Sequence, residues 1–236
     1  MNNHRPWILG LCFVIGMTVF AVLAGHSLRS VKRMDEFVTV KGLSEREVAA
    51  DLAIWPVAFT VSDNDLKRLQ ELIQSGRKTV YQFLTESGFE QAEISNAPPQ
   101  IADAENNSVD VDATKRPVRY RANIVVLLRS SKVAKVKAAM ETCDKLVQQG
   151  IVLSGGDYAS KPQFLFTGLN QIKPDMIQEA NRNARKAAEK FASDSNSPIG
   201  AVRHAVQGPF EVNDVDSSSP DRKIVRVVTT VDFYLQ

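Results

Sequence analysis

The sequence predicts an α+β fold: antiparallel sheets with three helices packed on one face, preceded by one N-terminal transmembrane helix. Three patterns support this prediction. The chain opens with a long apolar run, three later segments repeat apolar residues at helical spacing, and the strand segments between them occur in adjacent pairs. Neighbouring strand pairs favour antiparallel sheets over a doubly wound parallel fold.

Composition indicates a globular chain that is not built to bind nucleic acid. Of its 236 residues 44% are hydrophobic, and 29 Lys and Arg against 27 Asp and Glu give a net charge of +2. The charges are spread along the chain without a block of like sign, so nucleic acid is not an expected partner. Cys12 lies in the apolar run and Cys143 on a predicted helix, so no disulfide is expected.

The first element is a membrane segment from Trp7 to Leu28. It carries no charge as far as Gly25, and a helix of this length spans the hydrocarbon core of a bilayer. Its Leu, Ile, Val and Phe residues contribute about −3 to −6 kcal/mol to insertion. A cleaved signal peptide is the alternative, since Val22-Leu23-Ala24 offers small residues. The run exceeds the roughly 7–15 residues of a typical signal-peptide core, which favours a retained anchor.

The charges that flank this segment favour a cytoplasmic position for the rest of the chain. Arg5 precedes the segment, whereas Arg29, Lys32 and Arg33 follow it. By the positive-inside rule alone, the residues after the segment would stay in the cytoplasm. The polar residues 29–35 form a juxtamembrane linker, and residues 36–236 are expected to form one α+β domain.

The domain is predicted to begin with two strands and a helix. Glu36–Lys41 and Asp51–Val61 have strand composition. The second places apolar residues on one face at every second position: Ala53, Trp55, Val57, Phe59 and Val61. Its Pro56 indicates an edge position or a bulge. Apolar residues at spacings of three, four and seven predict a helix over Asn64–Ser87, which Gly88 ends.

The middle of the domain combines strands, a loop and a second helix. A short strand is expected near Ala92–Ser95, followed by a loop over 96–117 that contains Pro98-Pro99. Val118–Leu128 alternates apolar and polar residues, which predicts a half-buried strand. A helix follows over Lys132–Gln149, and Gly150 caps it.

The last part contains four strands and a third helix. Strands are expected near Ile151–Tyr158 and Gln163–Gly168, then over Pro198–Phe210 and Lys223–Leu235, with a loop over 211–222. The third helix is predicted over Pro174–Ser193. Its buried stripe consists mainly of small residues: Ile177, Ala180, Ala184, Ala187 and Phe191. Because alanine has little side-chain bulk, this helix is expected to pack closely against its neighbour.

No pattern in the sequence carries known catalytic chemistry. His4, His26 and His204 do not have the spacing of paired metal ligands. Neither GxxxxGK[ST] nor GxGxxG occurs, and Gly155-Gly156 between two strands is typical of a hairpin turn. A nucleophile elbow is missing. We therefore expect a non-enzymatic protein without cofactor or metal; an enzyme of unrecognised type is a less favoured alternative.

Two acidic loops are expected to be solvated rather than to hold a cation. The carboxylates in question are Asp103, Glu105, Asp110, Asp112, Asp214 and Asp216. Carboxylate oxygens bind hard cations, but the first of these loops lacks the Asx-Gly spacing of a calcium loop.

Arg119 and Arg121 form the candidate face for an anionic ligand. They project from the polar side of the strand Val118–Leu128. With Arg203 and Arg226 they would line an anionic-ligand groove if the strands that carry them are neighbours. Pairing with Asp or Glu on adjacent strands is the favoured interpretation.

Four short motifs carry a family resemblance. They are Val38-Thr-Val-Lys-Gly42, then Val48-Ala-Ala-Asp51-Leu-Ala-Ile, then Tyr120-Arg-Ala122, and finally Ala180, Ala184 and Ala187 with Phe191 before Ile199-Gly200. In this order they resemble the strand–glycine–strand opening, the central strand and the alanine-rich third helix of the SIMPL-domain family of bacterial envelope proteins. The resemblance covers roughly residues 37–236. Ser44 departs from it where a second glycine is common, and Ala50 where proline commonly precedes the aspartate.

The resemblance implies an α+β fold, a periplasmic location, large ring-like homo-oligomers and a link to oxidative-stress defence, and it implies no catalytic residues. It reverses the orientation that the flanking charges suggest, so the domain is expected in the periplasm, anchored to the inner membrane by Trp7–Leu28. The leading hypothesis is a non-enzymatic, self-assembling envelope scaffold. The alternatives are a periplasmic module that binds an anionic small molecule and, for location, a soluble periplasmic protein after signal cleavage.

Overall fold

The chain forms two compact units. The computed structural model describes residues 13, 16–18, 20–21, 36–103, 118–154 and 161–235. The first unit comprises Met1–Arg46, Gln171–Glu211 and Val225–Gln236, and the second comprises Glu47–Asn170 and Val212–Ile224.

A six-stranded antiparallel sheet forms one layer of the second unit. Its strands are β2 (Leu52–Asp63), β3 (Ile94–Asn96), β4 (Gln100–Asp103), β5 (Tyr120–Ser130), β6 (Val152–Leu153) and β7 (Gln163–Leu165). β2 and β5 pair without interruption from Ala53 opposite Ser130 to Asp63 opposite Tyr120. β3 and β4 extend the sheet beside β5, and β6 and β7 extend it beside β2.

Helices cover one face of this sheet. They are α1 (Leu66–Glu86), α2 (Val133–Glu141) and α3 (Asp144–Gln148), with a 3₁₀ turn at Gln91–Glu93. Asp65 caps α1 by accepting hydrogen bonds from Lys67 N and Arg68 N. The sheet side of the core consists of the alternating residues that the sequence predicts: Ala53, Trp55, Val57 and Phe59 on β2, and Ala122, Ile124, Val126 and Leu128 on β5.

A four-stranded sheet and one long helix define the first unit. The strands are β1 (Phe37–Ala49), β8 (Ile199–Gln207), β9 (Glu211–Asp214) and β10 (Arg222–Leu235), and the helix is α4 (Leu169–Ser195). The order is β1-β10-β8, and β9 also pairs with β10. Within this unit, Ala184 and Ala188 of α4 share a core cluster with Val231 and Phe233 of β10.

The predicted fold class is confirmed as α+β with antiparallel sheets, although the helices serve two sheets. α1 and α2 lie against β2, whereas α4 packs on the four-stranded sheet. Two strands lie in predicted loops, β4 within 96–117 and β9 within 211–222. Both are short and mostly exposed. They are held by pairing with a long neighbour, and they have no apolar face that a sequence pattern would reveal.

The predicted second helix, Lys132–Gln149, is two helices. α2 ends at Glu141 and α3 begins at Asp144. At the junction Thr142 N donates to Ala139 O, and Cys143 N donates to Met140 O, so the backbone tightens to i→i+3 bonds. The Thr142 hydroxyl also donates to Ala139 O at 3.1 Å.

The third helix begins earlier than predicted and buries a different stripe. α4 starts at Leu169 and contains Pro174, the predicted first residue. Its buried residues recur at every fourth position: Met176, Ala180, Ala184, Ala188 and Ala192. Ala187 is exposed and Phe191 is 46% exposed, so these two predictions were wrong. The row that faces the sheet follows i+4 spacing throughout.

Pro56 lies neither on an edge strand nor at a bulge between β2 and β5. β2 is central, and its register with β5 is continuous. On the other side, β7 pairs with Leu52–Ile54 and β6 with Phe59–Thr60. Within the described part of the chain, Pro56 therefore sits in the gap between β7 and β6, where a missing N–H costs no ladder bond.

The membrane segment falls mainly outside the described residues, as do both of its ends, Trp7 and Leu28. The linker 29–35, the turn at Gly155-Gly156 and residues 104–117 of the acidic loop also lie outside them. Across the residues that are described, no helix combines the length and the apolar character needed to cross a membrane.

Candidate functional site

The candidate functional site is the pair of free edges of the four-stranded sheet. β10 lies in the centre, with β1 on one side and β8 on the other. Among the described residues, no strand pairs with the outer side of β1 or of β8. Such edges present backbone donors and acceptors that can pair with a strand of another chain.

Strand β8 is exposed along most of its length. Only Ile199 and Gly200 are half-buried, and the rest of the strand is exposed. Val202 and Val206 are 54% and 51% exposed. The strand sequence, IGAVRHAVQ, does not alternate between apolar and polar residues. Ile199, at its start, packs against the core cluster of the unit, and the residues from Ala201 onwards are exposed.

The hydrogen-bond pattern decides which groups of β8 point to the free side. Gly208 N donates to Val228 O at 2.8 Å, so these two residues form a hydrogen-bonded pair. In an antiparallel ladder, successive residues alternate between facing the partner strand and facing away from it. Val206 therefore bonds to β10, whereas Ala205 and Gln207 direct their N–H and C=O groups to the free edge.

A β-bulge interrupts β8 at Arg203. His204 lies opposite Asp232 and Val202 lies opposite Phe233, so Arg203 is the extra residue. Bulges and charges are devices that limit uncontrolled pairing at sheet edges. The regular, uncharged part of this edge is Ala205–Gln207.

The outer edge of β1 follows from the same alternation. Leu235 N donates to Glu36 O at 3.0 Å, so the even-numbered residues of β1 face β10. Leu43, an odd residue, accordingly accepts a bond at its carbonyl from the Asn183 side chain of α4, at 2.8 Å. The outward groups nearer the start of the strand are those of Phe37, Thr39 and Lys41.

Helix α4 holds β1 through a close approach at Gly42. A Cβ atom at Gly42 would lie 1.9 Å from Ala180 O and 2.4 Å from Ala184 N. Two residues on, the buried Ser44 donates its hydroxyl to Glu179 Oε2 at 2.9 Å. The predicted close packing of the alanine-rich helix is confirmed. At position 44, where the resembled family commonly has a second glycine, the serine side chain is buried and bonded to Glu179.

The arginine pair does not form the groove considered from sequence. Arg119 pairs with Asp103 Oδ2 at 3.3 Å and stacks on Tyr120. The favoured interpretation, pairing with an acidic residue of an adjacent strand, is confirmed for Arg119. Arg121 is exposed on β5. β5 is not a neighbour of β8 or β10, which carry the other two arginines, so the condition for a shared groove is not met.

An ionic cluster in the second unit has a structural role. Glu93 accepts hydrogen bonds from Ser130 Oγ at 2.6 Å, Glu90 N at 2.8 Å and Lys132 Nζ at 3.0 Å. Burial tends to raise the Glu93 pKa, but these donors outweigh it and lower the pKa to about 2. The carboxylate joins the 3₁₀ turn to the end of β5.

Two shallow grooves flank α2. One, of about 490 Å³, has an alanine-rich floor and the Lys137–Asp221 ion pair, 2.8 Å apart, at its rim. The other, of about 330 Å³, contains Lys135 and Lys145 together with Glu86 at the end of α1. A helix C-terminus carries partial negative charge. The C-terminus of α1 and the Glu86 carboxylate offset the positive charge of Lys135 and Lys145, so this groove does not form a strongly anion-selective site.

Asp51, the aspartate of the second motif, anchors the loop before α4. Its carboxylate accepts bonds from Thr167 N at 2.8 Å, Thr167 Oγ1 at 3.0 Å and Gly168 N at 3.1 Å. The preceding residue, Ala50, donates its N–H to Asp221 O at 2.8 Å. Proline at that position would lose this bond, which gives a physical reason for the departure at Ala50.

The described acidic residues of the two loops are engaged within the protein. Asp214 pairs with Lys223, and Asp216 accepts bonds from Ser218 N and Ser219 N within its own turn. In the part of the chain that the structure describes, no three His, Cys, Asp or Glu side chains cluster as metal ligands would.

Sequence patterns predict β8 as a strand but do not single out its edge residues. The available signal was its lack of alternation together with the flanking Pro198 and Pro209. A strand that is apolar on neither face and bounded by prolines is typical of an edge position.

Comparison with known proteins identifies one family. The model of the SIMPL family, described as a protein of unknown function (DUF541), matches residues 38–230. Comparison with curated proteins gives no match. All four motifs on which the resemblance rests fall within the matched residues. Since the match covers most of the folded chain, the protein belongs to the SIMPL family.

Proposed function

We propose that this protein is a non-enzymatic, membrane-anchored periplasmic protein that assembles into a large homo-oligomer and acts as an envelope scaffold. The observation that carries the proposal is the presence of two different free edges on opposite sides of one sheet, β1 and β8. Contacts between two different surfaces of one chain repeat head to tail, and they close into rings when the rotation between copies permits.

The proposed anchor is Trp7–Leu28. The described apolar residues within it are strongly exposed: Phe13 71%, Met17 63% and Phe20 72%. Large side chains exposed at helical spacing fit a helix that meets lipid rather than a protein core. Several anchors in one assembly would make membrane attachment multivalent.

The periplasmic side and the link to oxidative-stress defence rest on the family resemblance alone. Three basic residues after the segment favour the opposite orientation. Protease treatment of spheroplasts separates the two orientations: digestion of the domain in intact spheroplasts supports the periplasm, and protection until lysis contradicts it.

Light scattering of the full-length protein in detergent tests the assembly. We expect a mass of many chains after subtraction of the detergent. A clean single chain across the accessible concentration range would contradict the proposed function.

Binding of an anionic small molecule is the second candidate function. It is supported by Arg121, which is exposed on β5 and has no ion pair among the described residues. A thermal-shift screen with anionic metabolites should then give a stabilising compound whose effect is lost in Arg121→Ala. Stabilisation that persists in this variant would exclude Arg121 as its site.

A further inference from the structure

We infer that β8 of one copy pairs in parallel with β1 of the next copy. The joint uses the outward backbone groups of Ala205 and Gln207 on β8 and of Phe37, Thr39 and Lys41 on β1. This inference rests on the proposed self-assembly and names its interface and its partner, a second copy of this chain.

Strand direction sets the parallel arrangement. β8 runs antiparallel to β10. β1 does so too, because Leu235 N bonds Glu36 O near one end of the strand and Ala50 N bonds Asp221 O beyond the other. β1 and β8 therefore run in the same direction. If a small rotation relates one copy to the next and the sheet continues across them, the strands of both copies keep the same direction. β8 of one copy then lies parallel to β1 of the next.

The two backbone bonds at the ends of β1 also determine which residues of this strand face β10. Glu36 pairs with Leu235, and Ala50 pairs with Asp221. The two pairs are separated by the same number of residues on both strands, from 36 to 50 and from 221 to 235, so β1 contains no net extra residue between them. Lys41 therefore has its N–H on the side away from β10. Lys41 itself is exposed, whereas Gly42 and Ser44, which follow it on β1, are buried.

A two-fold contact between two β8 strands is less favourable. Antiparallel pairing of β8 with itself is two-fold and closes after two copies, whereas the proposed assembly is large. That contact also leaves both β1 edges unused. Pairing β8 with β1 instead uses both edges. It places the exposed Val206 on the same face of the sheet as Phe37, which is 42% exposed and carries Arg203 of its own chain stacked 4.1 Å from its ring centroid.

Two proline variants of the full-length protein test the joint. Ala205→Pro and Lys41→Pro each remove one outward N–H, and proline is tolerated where the N–H faces away from the sheet. We expect each variant to scatter light as a single chain, with a thermal midpoint within a few degrees of the parent protein. Gln207→Pro repeats the test at the next outward position.

Val206→Pro is the matched control. It removes an N–H that faces β10, so it should lower the thermal midpoint clearly more than Ala205→Pro does. If the two variants melt alike, the assignment of outward and inward groups is wrong.

Mixing the two variants tests the direction of the joint. Ala205→Pro keeps an intact β1 edge and Lys41→Pro keeps an intact β8 edge, so the mixture should form dimers of one chain of each kind. Dimers of Lys41→Pro alone would instead show two-fold pairing of β8 and overturn the inference. If both variants form assemblies of the same mass as the parent protein, the interface between copies lies elsewhere on the chain, and the proposed function is unaffected. A parent protein that is itself a single chain would overturn the proposed function.

Discussion

At the scale of single residues, Gly42 sets the distance between α4 and β1. A methyl group there would overlap backbone atoms of α4, which cannot rotate away as a side-chain tip can. We expect Gly42→Ala to lower the free energy of unfolding by at least the roughly 1–3 kcal/mol of an overpacked core. Urea denaturation measures this change. Leu43→Ala, at the exposed neighbour, is the control and should cost much less; equal losses would contradict the close approach.

Glu93 makes stability depend on pH. Its pKa in the folded state is about 2, against an ordinary value of 4.5. The ionised carboxylate therefore stabilises the folded state above pH 4.5, and this contribution is lost as the pH falls towards 2. We expect the stability difference between the parent protein and Glu93→Gln to be about 2–3 kcal/mol at neutral pH and to shrink over that window. Unfolding curves at several pH values measure it, and a constant difference would contradict the lowered pKa.

Some residue roles follow from sequence and others do not. The pairing of Arg119 with a carboxylate of an adjacent strand was predicted, but its partner Asp103 was not, because β4 was predicted as part of a loop. The role of Asp51 was not predictable, because its partner Thr167 lies 116 residues away. The departure at Ala50 could be noticed from sequence, but its hydrogen bond to Asp221 O requires the fold.

At the scale of elements, the helix C-termini marked by glycine were predicted correctly. Gly88 and Gly150 were expected to end helices, and both have positive φ, 87° and 82°. We expect Gly150→Ala to cost about 1 kcal/mol, because an L-residue is strained at that φ. Nothing lies within 4 Å of a Cβ at this position, so strain alone is measured there. Chemical denaturation checks the value, and an unchanged midpoint would contradict the strained turn.

Elements were predictable where an apolar pattern reports burial directly. β2 and β5 alternate because one face of each lies on the core, and their buried residues were correctly predicted. The break between α2 and α3 depends on backbone bonds at Thr142 and Cys143 that leave no apolar signature. Ala187 was predicted to be buried, but its neighbour Ala188 is buried instead. Two adjacent alanines give the same sequence signal, and only the packing of the folded helix shows which of them faces the sheet.

At the scale of the whole molecule, the N-terminal segment decides whether the protein is tethered. If Trp7–Leu28 is a retained anchor, the protein stays in membranes after alkaline carbonate washing, and its first residues remain on the mature chain. N-terminal sequencing of the carbonate-washed fraction checks this expectation. A variant with Leu11→Arg and Val14→Arg is the control and should be released. A mature chain that begins after Ala24 would show cleavage instead.

The first unit is built from distant parts of the chain, which has a consequence for biogenesis. Thr39 of β1 donates to Asp232 of β10 across 193 residues. β10 is also the strand that separates β1 from β8. The four-stranded sheet therefore cannot close until the C-terminal strand has left the ribosome and, in the proposed topology, crossed the membrane. Until then β1 has no strand to pair with, and in a nascent chain that stalls early β1 is exposed to neighbouring chains.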